Sequence, residues 1–211
     1  MKYKCIIFDC DGVLVDSEKI SIKTLVAMAA IIGVELEEEN AYQLFLGKSL
    51  AFCFDYIESQ SDKKLPSHFE EEFRLRSFEA FKSDLKPIEG IHELLSQLEV
   101  PFCVASNGPA DKIRLNLTST QLIDQFEGAI FSAYDINSWK PDPELYLHAA
   151  KTMGFEVQDC VVIEDSAVGV QAALSGGFAV FGFAHKGNQA QLAQLDIPIF
   201  DTMTNLAKLL E

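Results

Sequence analysis

The segment Cys5-Ile6-Ile7-Phe8-Asp9-Cys10-Asp11-Gly12-Val13-Leu14-Val15-Asp16 constrains this chain most: an apolar run stops at two aspartates spaced one apart, followed by glycine. A short apolar run closed by turn residues is predicted to be a buried strand. Residues i and i+2 of a strand face the same way. Asp9 and Asp11 can therefore meet one ligand at the strand's C-terminal end, where open α/β sheets bind substrates. Gly12 lets the backbone turn and approach that ligand closely. Two carboxylates crowd together only when a cation or a proton relieves them. That points to a metal site, or to a nucleophile beside a general acid. An ordinary polar turn has the same residues, so the choice between these readings rests on the rest of the chain.

From Ser17 to about Lys82 every signal is helical. Ile22, Leu25, Val26, Ala29 and Ile32 keep helical spacing, with Gly33 as a stop. A second helix is predicted over Glu37–Phe45, a third after the cap Ser49, and a fourth opened by Pro66 and Ser67. On the fourth, Glu70 with Arg74 and Glu72 with Arg76 are i, i+4 pairs.

From Pro87 onward strands and helices alternate. Strands are predicted at 101–106, 129–132, 160–163, 178–183 and, weakly, 197–200; helices are predicted at 91–98, from 110, at 142–153 and at 168–174. Alternation of this kind implies a parallel sheet with right-handed crossovers. The fold class is α/β: a Rossmann-like parallel sheet core formed by residues 1–16 and 84–211, with a helical cap, residues 17–83, inserted after the first strand. Hinges are expected near Asp16–Ser17 and Ser83–Leu85.

Charge narrows the partners. The net charge is -15, from 32 acidic and 17 basic residues. Such a surface repels phosphate backbones and anionic membranes, which argues against nucleic-acid and membrane partners. A site for a phosphorylated ligand must bring its own positive charge. The five cysteines are scattered without metal-binding or disulfide spacing, and Cys5, Cys53, Cys103 and Cys160 read as small core residues. No signal peptide or bilayer-spanning run is visible, so the expected location is the cytoplasm. The chain is expected to act as a monomer or weak homodimer.

Three predicted strands end in polar signatures: Asp9-x-Asp11, Ser106-Asn107-Gly108 and Glu164-Asp165-Ser166. Lys140 lies in the loop Trp139-Lys140-Pro141-Asp142-Pro143. In a parallel sheet these ends share one edge. Carboxylates, a hydroxyl and an ammonium around one crevice are the parts that phosphoryl transfer needs. Asp9 and Asp165 can hold Mg2+, a hard cation suited to carboxylates and phosphate oxygens, and the Asp11 carbonyl can add a ligand. Asp9 can attack phosphorus, and Asp11 can protonate the leaving alcohol and then activate water. Ser106, the Asn107 N–H and Lys140 can hold the phosphoryl oxygens. The alternative for each residue is plain: a helix-capping Ser106, a solvated Lys140, helix-start acids at Glu164 and Asp165.

These segments, together with Gly169 and Ala172-Ala173, resemble in order the four motifs of the haloacid dehalogenase (HAD) superfamily, and the resemblance spans essentially the whole chain. Within it the sequence resembles the β-phosphoglucomutase-like branch, and it is particularly similar to the 6-phosphogluconate phosphatase type in that branch through Asp9-Cys10-Asp11-Gly12, Asp16-Ser17-Glu18, Ser106-Asn107-Gly108-Pro109 and Trp139-Lys140-Pro141-Asp142-Pro143. The resemblance implies a magnesium-dependent phosphatase of small phosphorylated metabolites, sugar or sugar-acid phosphates with 6-phosphogluconate among them. It implies Asp9 as nucleophile and metal ligand, and Asp11 as acid/base and carbonyl ligand. Ser106, Asn107 and Lys140 are the implied phosphate binders and Asp165 a metal ligand. Glu164 is either a ligand or a residue that orients one.

Two departures separate the chain from the mutases of that branch. Ser21 stands where they carry a cap histidine, and Leu50 where they carry an arginine. A sugar-phosphate mutase is thus the second reading, and a phospho-accepting switch module the third. Gly47-Lys48-Ser49 corresponds to a cap loop that in this family faces the active site, so Gly47 and Lys48 are candidate substrate contacts, with an exposed surface lysine as the alternative. Cys10 reads as packing. His68, His92 and His148 read as surface or packing residues, and His185 is assigned no role.

Overall fold

The apolar run at the start of the chain forms β1 (Cys5–Phe8), whose four residues are wholly buried. Each such side chain contributes about 1.5–3 kcal/mol by leaving water. A strand buried on both faces belongs inside a parallel sheet. β1 indeed lies between β2 (Phe102–Ser106) and β4 (Cys160–Glu164), parallel to both. With β3 (Ile130–Ser132), β5 (Ala179–Phe183) and β6 (Ile199–Phe200) the order is β3-β2-β1-β4-β5-β6, all parallel. The order reverses direction at β1 and β4, so connections diverge there and leave a crevice at the strand C-termini.

This computed structural model describes residues 2–46, 48–185 and 187–211. Two units are distinguished by their internal contacts, Met1–Asp16 with Lys86–Glu211, and Ser17–Leu85.

In the sheet unit, α5 (Ile91–Gln97), α6 (Ala110–Ser119), α7 (Ala133–Ile136), α8 (Glu144–Met153), α9 (Ala167–Ser175), α10 (Gln189–Leu192) and α11 (Met203–Leu210) follow or separate the strands. Small residues bring α9 close to the sheet: Val170, Ala172 and Ala173 share one buried cluster with Val162, Leu145 and Tyr146. The short α7 and α10 and the terminal α11 go beyond the elements that the sequence pattern marks. α11 packs on α5 and β6 through buried Met203, Leu206 and Leu210.

The helical unit holds α1 (Glu18–Ile31), α2 (Glu38–Phe45), α3 (Leu50–Ser59) and α4 (Phe69–Asp84) around its own core of Leu25, Met28, Phe45, Ile57, Phe69 and Phe73. Ser49 caps α3 by accepting from the Phe52 N–H at 3.2 Å. Arg74 pairs with Glu70 and Arg76 with Glu72 along the outer face of α4, as the spacing predicts. Among the described residues no helix is long and apolar enough to cross a membrane. All five cysteines are buried and unpaired in disulfides.

Candidate active site

Register builds the site. Phe8 and Ile163 are paired neighbours on β1 and β4. The next residues, Asp9 and Glu164, therefore leave the sheet side by side, and Asp9 N–H donates to Ile163 O at 2.9 Å. Ser106 ends β2 on the other side of β1. Lys140 reaches in from the segment between α7 and α8, with Nζ 2.5 Å from Asp9 Oδ1 and 2.7 Å from Glu164 Oε1.

Glu164 is saturated with donors. Its Oε1 accepts from Lys140 Nζ and, at 2.8 Å, from the Tyr146 hydroxyl; its Oε2 accepts from Ser166 N–H and Oγ, each at 2.9 Å. A carboxylate has about four acceptor sites, so these contacts use them all. Burial would push the Glu164 carboxyl up, but Lys140, Ser166 and Tyr146 outweigh it and hold Glu164 below the usual glutamate range. A methyl group at Gly169 would collide with the Glu164 carboxylate, so glycine there makes room for the buried acid. Tyr146 also lays its ring 4.8 Å from Lys140 Nζ, a cation–π contact. Burial and Glu164 push its phenol well above the ordinary range, so it remains a donor. Burial disfavours the Lys140 ammonium, yet Asp9 and Glu164 more than compensate and keep it charged.

Asp9 is in the opposite position. Burial pushes its carboxyl well above the usual aspartate range; Lys140 opposes this, and the neighbouring Glu164 and Asp165 add to it. Asp9, Glu164 and Asp165 each offer an oxygen within 4.8 Å of the others, the one such acidic, histidine or cysteine group among the described residues. With Asp9 ionised, three carboxylates against the Lys140 ammonium leave an excess of about two negative charges, which a divalent cation fits. Since Glu164 is saturated, Asp9 and Asp165 are the side chains suited to face the cation, and Glu164 suits the anchoring of Lys140. Gly12, at φ +84°, lets the Asp165 carboxylate lie directly over its Cα, where any Cβ would collide. His185 Nε2 lies 3.4 Å from Asp165 Oδ2, and buried Asn188 donates to Asp165 O at 2.7 Å and to Phe183 O at 2.9 Å.

The phosphate-binding candidates form a second group. Ser106 is buried, and its Oγ accepts from Gly108 N–H at 3.1 Å. The Asn107 side chain pairs with the backbone of Lys140, accepting from its N–H at 2.9 Å and donating to its carbonyl at 3.4 Å. This contact ties the Ser106–Gly108 turn to the segment that carries the ammonium, so the Asn107 side chain acts as a clamp. Asp11 meets α6: Lys112 Nζ is 2.6 Å from its Oδ2 and Asn116 Nδ2 is 3.2 Å from its Oδ1.

In the helical unit Lys48 is exposed, with Nζ 5.7 Å from the Phe52 ring centroid. The candidate Gly47 lies outside the described residues. His92 bonds the Thr120 carbonyl and His148 packs edge-on to Phe131. Five residues at the site carry no sequence signal of their own: Lys112, Asn116, Tyr146, His185 and Asn188. His185, given no role from sequence, is placed on Asp165.

Residues 6–183 match the family described as haloacid dehalogenase-like hydrolase. The 6-phosphogluconate phosphatase of Escherichia coli is 35% identical over 209 residues, covering 99% of this chain and 95% of the relative. A haloacid dehalogenase-like protein of unknown function from Agrobacterium tumefaciens superposes with a TM-score of 0.87 at 28% identity, covering 99% of this chain and 97% of its own. A HAD family hydrolase from Deinococcus radiodurans, solved with bound phosphate and sodium, gives 0.82 at 29% identity, covering 97% and 93%.

Proposed function

Because this chain belongs to the haloacid dehalogenase-like hydrolase family and is a phosphoric monoester hydrolase, we propose that it is a magnesium-dependent phosphatase of sugar or sugar-acid phosphates working through a phosphoaspartate on Asp9. The observation that carries this reading is the buried set of Asp9, Glu164 and Asp165 around the Lys140 ammonium. Hydrolysis of phosphate monoesters is among the slowest of uncatalysed reactions, with enzymic accelerations up to about 10²¹. Catalysis on that scale calls for a positioned nucleophile together with fixed charge at the transferring oxygens.

In this reading an Asp9 oxygen attacks phosphorus, and the bond from phosphorus to the leaving oxygen breaks. Asp11 gives the leaving oxygen its proton. Water then attacks the phosphoaspartate, Asp11 takes the proton from it, and phosphate departs with the Asp9 carboxylate restored. The Ser106 hydroxyl, the Asn107 N–H and the Lys140 ammonium are the donors suited to the phosphoryl oxygens. Magnesium, held by Asp9, Asp165 and the Asp11 carbonyl, would supply neutralising charge when bound. Glu164, with its four hydrogen bonds, fixes where the Lys140 ammonium stands.

A relative named for 6-phosphogluconate makes sugar-acid phosphates the first substrates to try. The test is phosphate release across a panel of sugar, polyol and sugar-acid phosphates, with magnesium and again in EDTA. Release should require magnesium and should be fastest on a sugar-acid or sugar phosphate. Equal rates in EDTA after verified metal removal would refute the metal assignment, and transfer of phosphate within the sugar without release would turn the assignment to a mutase.

A further inference from the structure

Asp11 follows a strand end in a tight turn, with Gly12 N–H bonded to Val15 O at 2.9 Å. The turn fixes its backbone but not its carboxylate, which is 29% exposed. The carboxylate is instead met by two side chains of α6. Lys112 and Asn116 are four residues apart and so lie on one face of the helix. Lys112 donates to Oδ2 at 2.6 Å and Asn116 to Oδ1 at 3.2 Å, so each oxygen of Asp11 has its own donor. Asn116 is wholly buried, and its Oδ1 has no hydrogen-bond partner. Burying an amide with an unmet acceptor is costly, and the bond to Asp11 offsets that cost. The Lys112 stem also runs beside the phosphate turn: a Cβ on Gly108 would stand 3.4 Å from Lys112 Cδ and 3.5 Å from Ser106 Oγ. The helix that follows β2 thus carries the turn at its start and the two donors to Asp11 further along.

We propose that Lys112 and Asn116 are positioning residues that hold the Asp11 carboxylate, one donor to each oxygen, in the orientation from which it serves the leaving group. The proposal rests on the reading of Asp11 as acid/base. A group held in line reacts far faster than one free to turn, and misplacement by about 1 Å can cost about 10²-fold. Lys112 acts through Asp11 here and does not itself bind the phosphoryl group.

The test uses two substrates in the magnesium-loaded enzyme: p-nitrophenyl phosphate, whose leaving group needs little protonation, and the sugar phosphate turned over fastest in the panel, whose alkoxide needs a proton. The quantity read is kcat/KM, which reports transfer to Asp9 and not the later hydrolysis. Lys112→Met, with folding checked by thermal unfolding, should lose about 10–100-fold on the sugar phosphate and only a few-fold on the aryl phosphate. Lys112→Arg should recover part of the loss. In an Asp11→Asn background, Lys112→Met should add less than about two-fold, because residues acting as one unit are not additive. Equal losses on both substrates would place Lys112 on the phosphoryl group and overturn the proposal. So would losses that multiply with Asp11→Asn, or an unchanged rate on the sugar phosphate. If Asp11→Asn itself lost equally on both substrates, the acid/base reading would fall first and the proposal with it.

Discussion

Lys140 donates to Glu164 Oε1 at 2.7 Å with the two side chains only 3% and 1% exposed. A buried ion pair of this kind contributes little net stability, but removing one partner leaves an uncompensated charge and costs about 3–5 kcal/mol. Lys140→Met should therefore lower the unfolding free energy by about that amount. Adding Glu164→Gln should restore much of it. Urea unfolding of the two single variants and the double variant measures this, and a double variant no more stable than Lys140→Met alone would contradict the pairing. Activity should be lost in the two variants that lack Lys140, because its ammonium is also 2.5 Å from Asp9.

The two acids at the end of β4 should separate in a metal titration. Asp165 lies over Gly12 and within reach of Asp9, whereas both oxygens of Glu164 are taken by protein donors. Asp165→Asn should abolish Mg2+ binding measured by calorimetry. Glu164→Gln should weaken it by the 10–100-fold typical of residues that orient ligands. Equal losses would make Glu164 a direct ligand. Gly12→Ala should resemble Asp165→Asn, because its methyl displaces the same carboxylate.

Asp9 gives the metal-free protein a pH dependence of definite sign. Its folded carboxyl is raised above the unfolded value of about 3.9 by burial in the first place. The stability it contributes is therefore present below that value and lost as pH rises through the folded one. Glu164 behaves oppositely: its lowered value gives stability present above the unfolded value and lost on acidification. Comparing wild type with Asp9→Asn isolates the first effect. In EDTA the melting temperature of Asp9→Asn, relative to wild type, should rise steadily from pH 4 upward. With Mg2+ the trend should shrink or reverse, since the cation binds the ionised form. A flat difference across pH in EDTA would mean that Asp9 ionises without penalty.

The parts of this architecture legible in the sequence are those written locally. Apolar runs stopped by Asp9, Ser106 and Glu164 mark strand ends, and parallel topology alone brings such ends to one edge. Asp9, Lys140, Glu164 and Asp165 could be grouped on that basis. α7 and α10 have four residues each, too few to show a helical period. The support around the acids was illegible for another reason. Lys112 and Asn116 lie 101 and 105 residues from Asp11, and Tyr146 lies 18 from Glu164. Their pairing depends on how α6 and α8 are rotated against the sheet. Tyr146 adjoins the apolar stripe of Leu145, Ala149 and Ala150 and looks like one more core residue. His185 sits in a loop whose path is set by Asn188, which no local pattern announces.

Lys48 offers the remaining test, one of substrate choice. In the proposed mechanism every phosphate monoester presents the same phosphoryl group to Asp9, Ser106 and Lys140, so discrimination has to come from contacts to the leaving group. The chain carries a net charge of -15, and a second anion on a substrate therefore needs a local cation. Between α2 and α3 the sequence supplies one, Lys48, with its side chain exposed and its N–H held to Phe45 O at 2.9 Å. We predict that Lys48→Ala raises KM for a sugar-acid phosphate by about tenfold or more, the scale of one charge-assisted contact. KM for p-nitrophenyl phosphate, whose leaving group bears no carboxylate, should change much less. An equal rise on both substrates would assign Lys48 to the phosphoryl group or to closure of the helical unit. No change on either would leave Lys48 as a surface lysine and place the recognition of the second anion elsewhere.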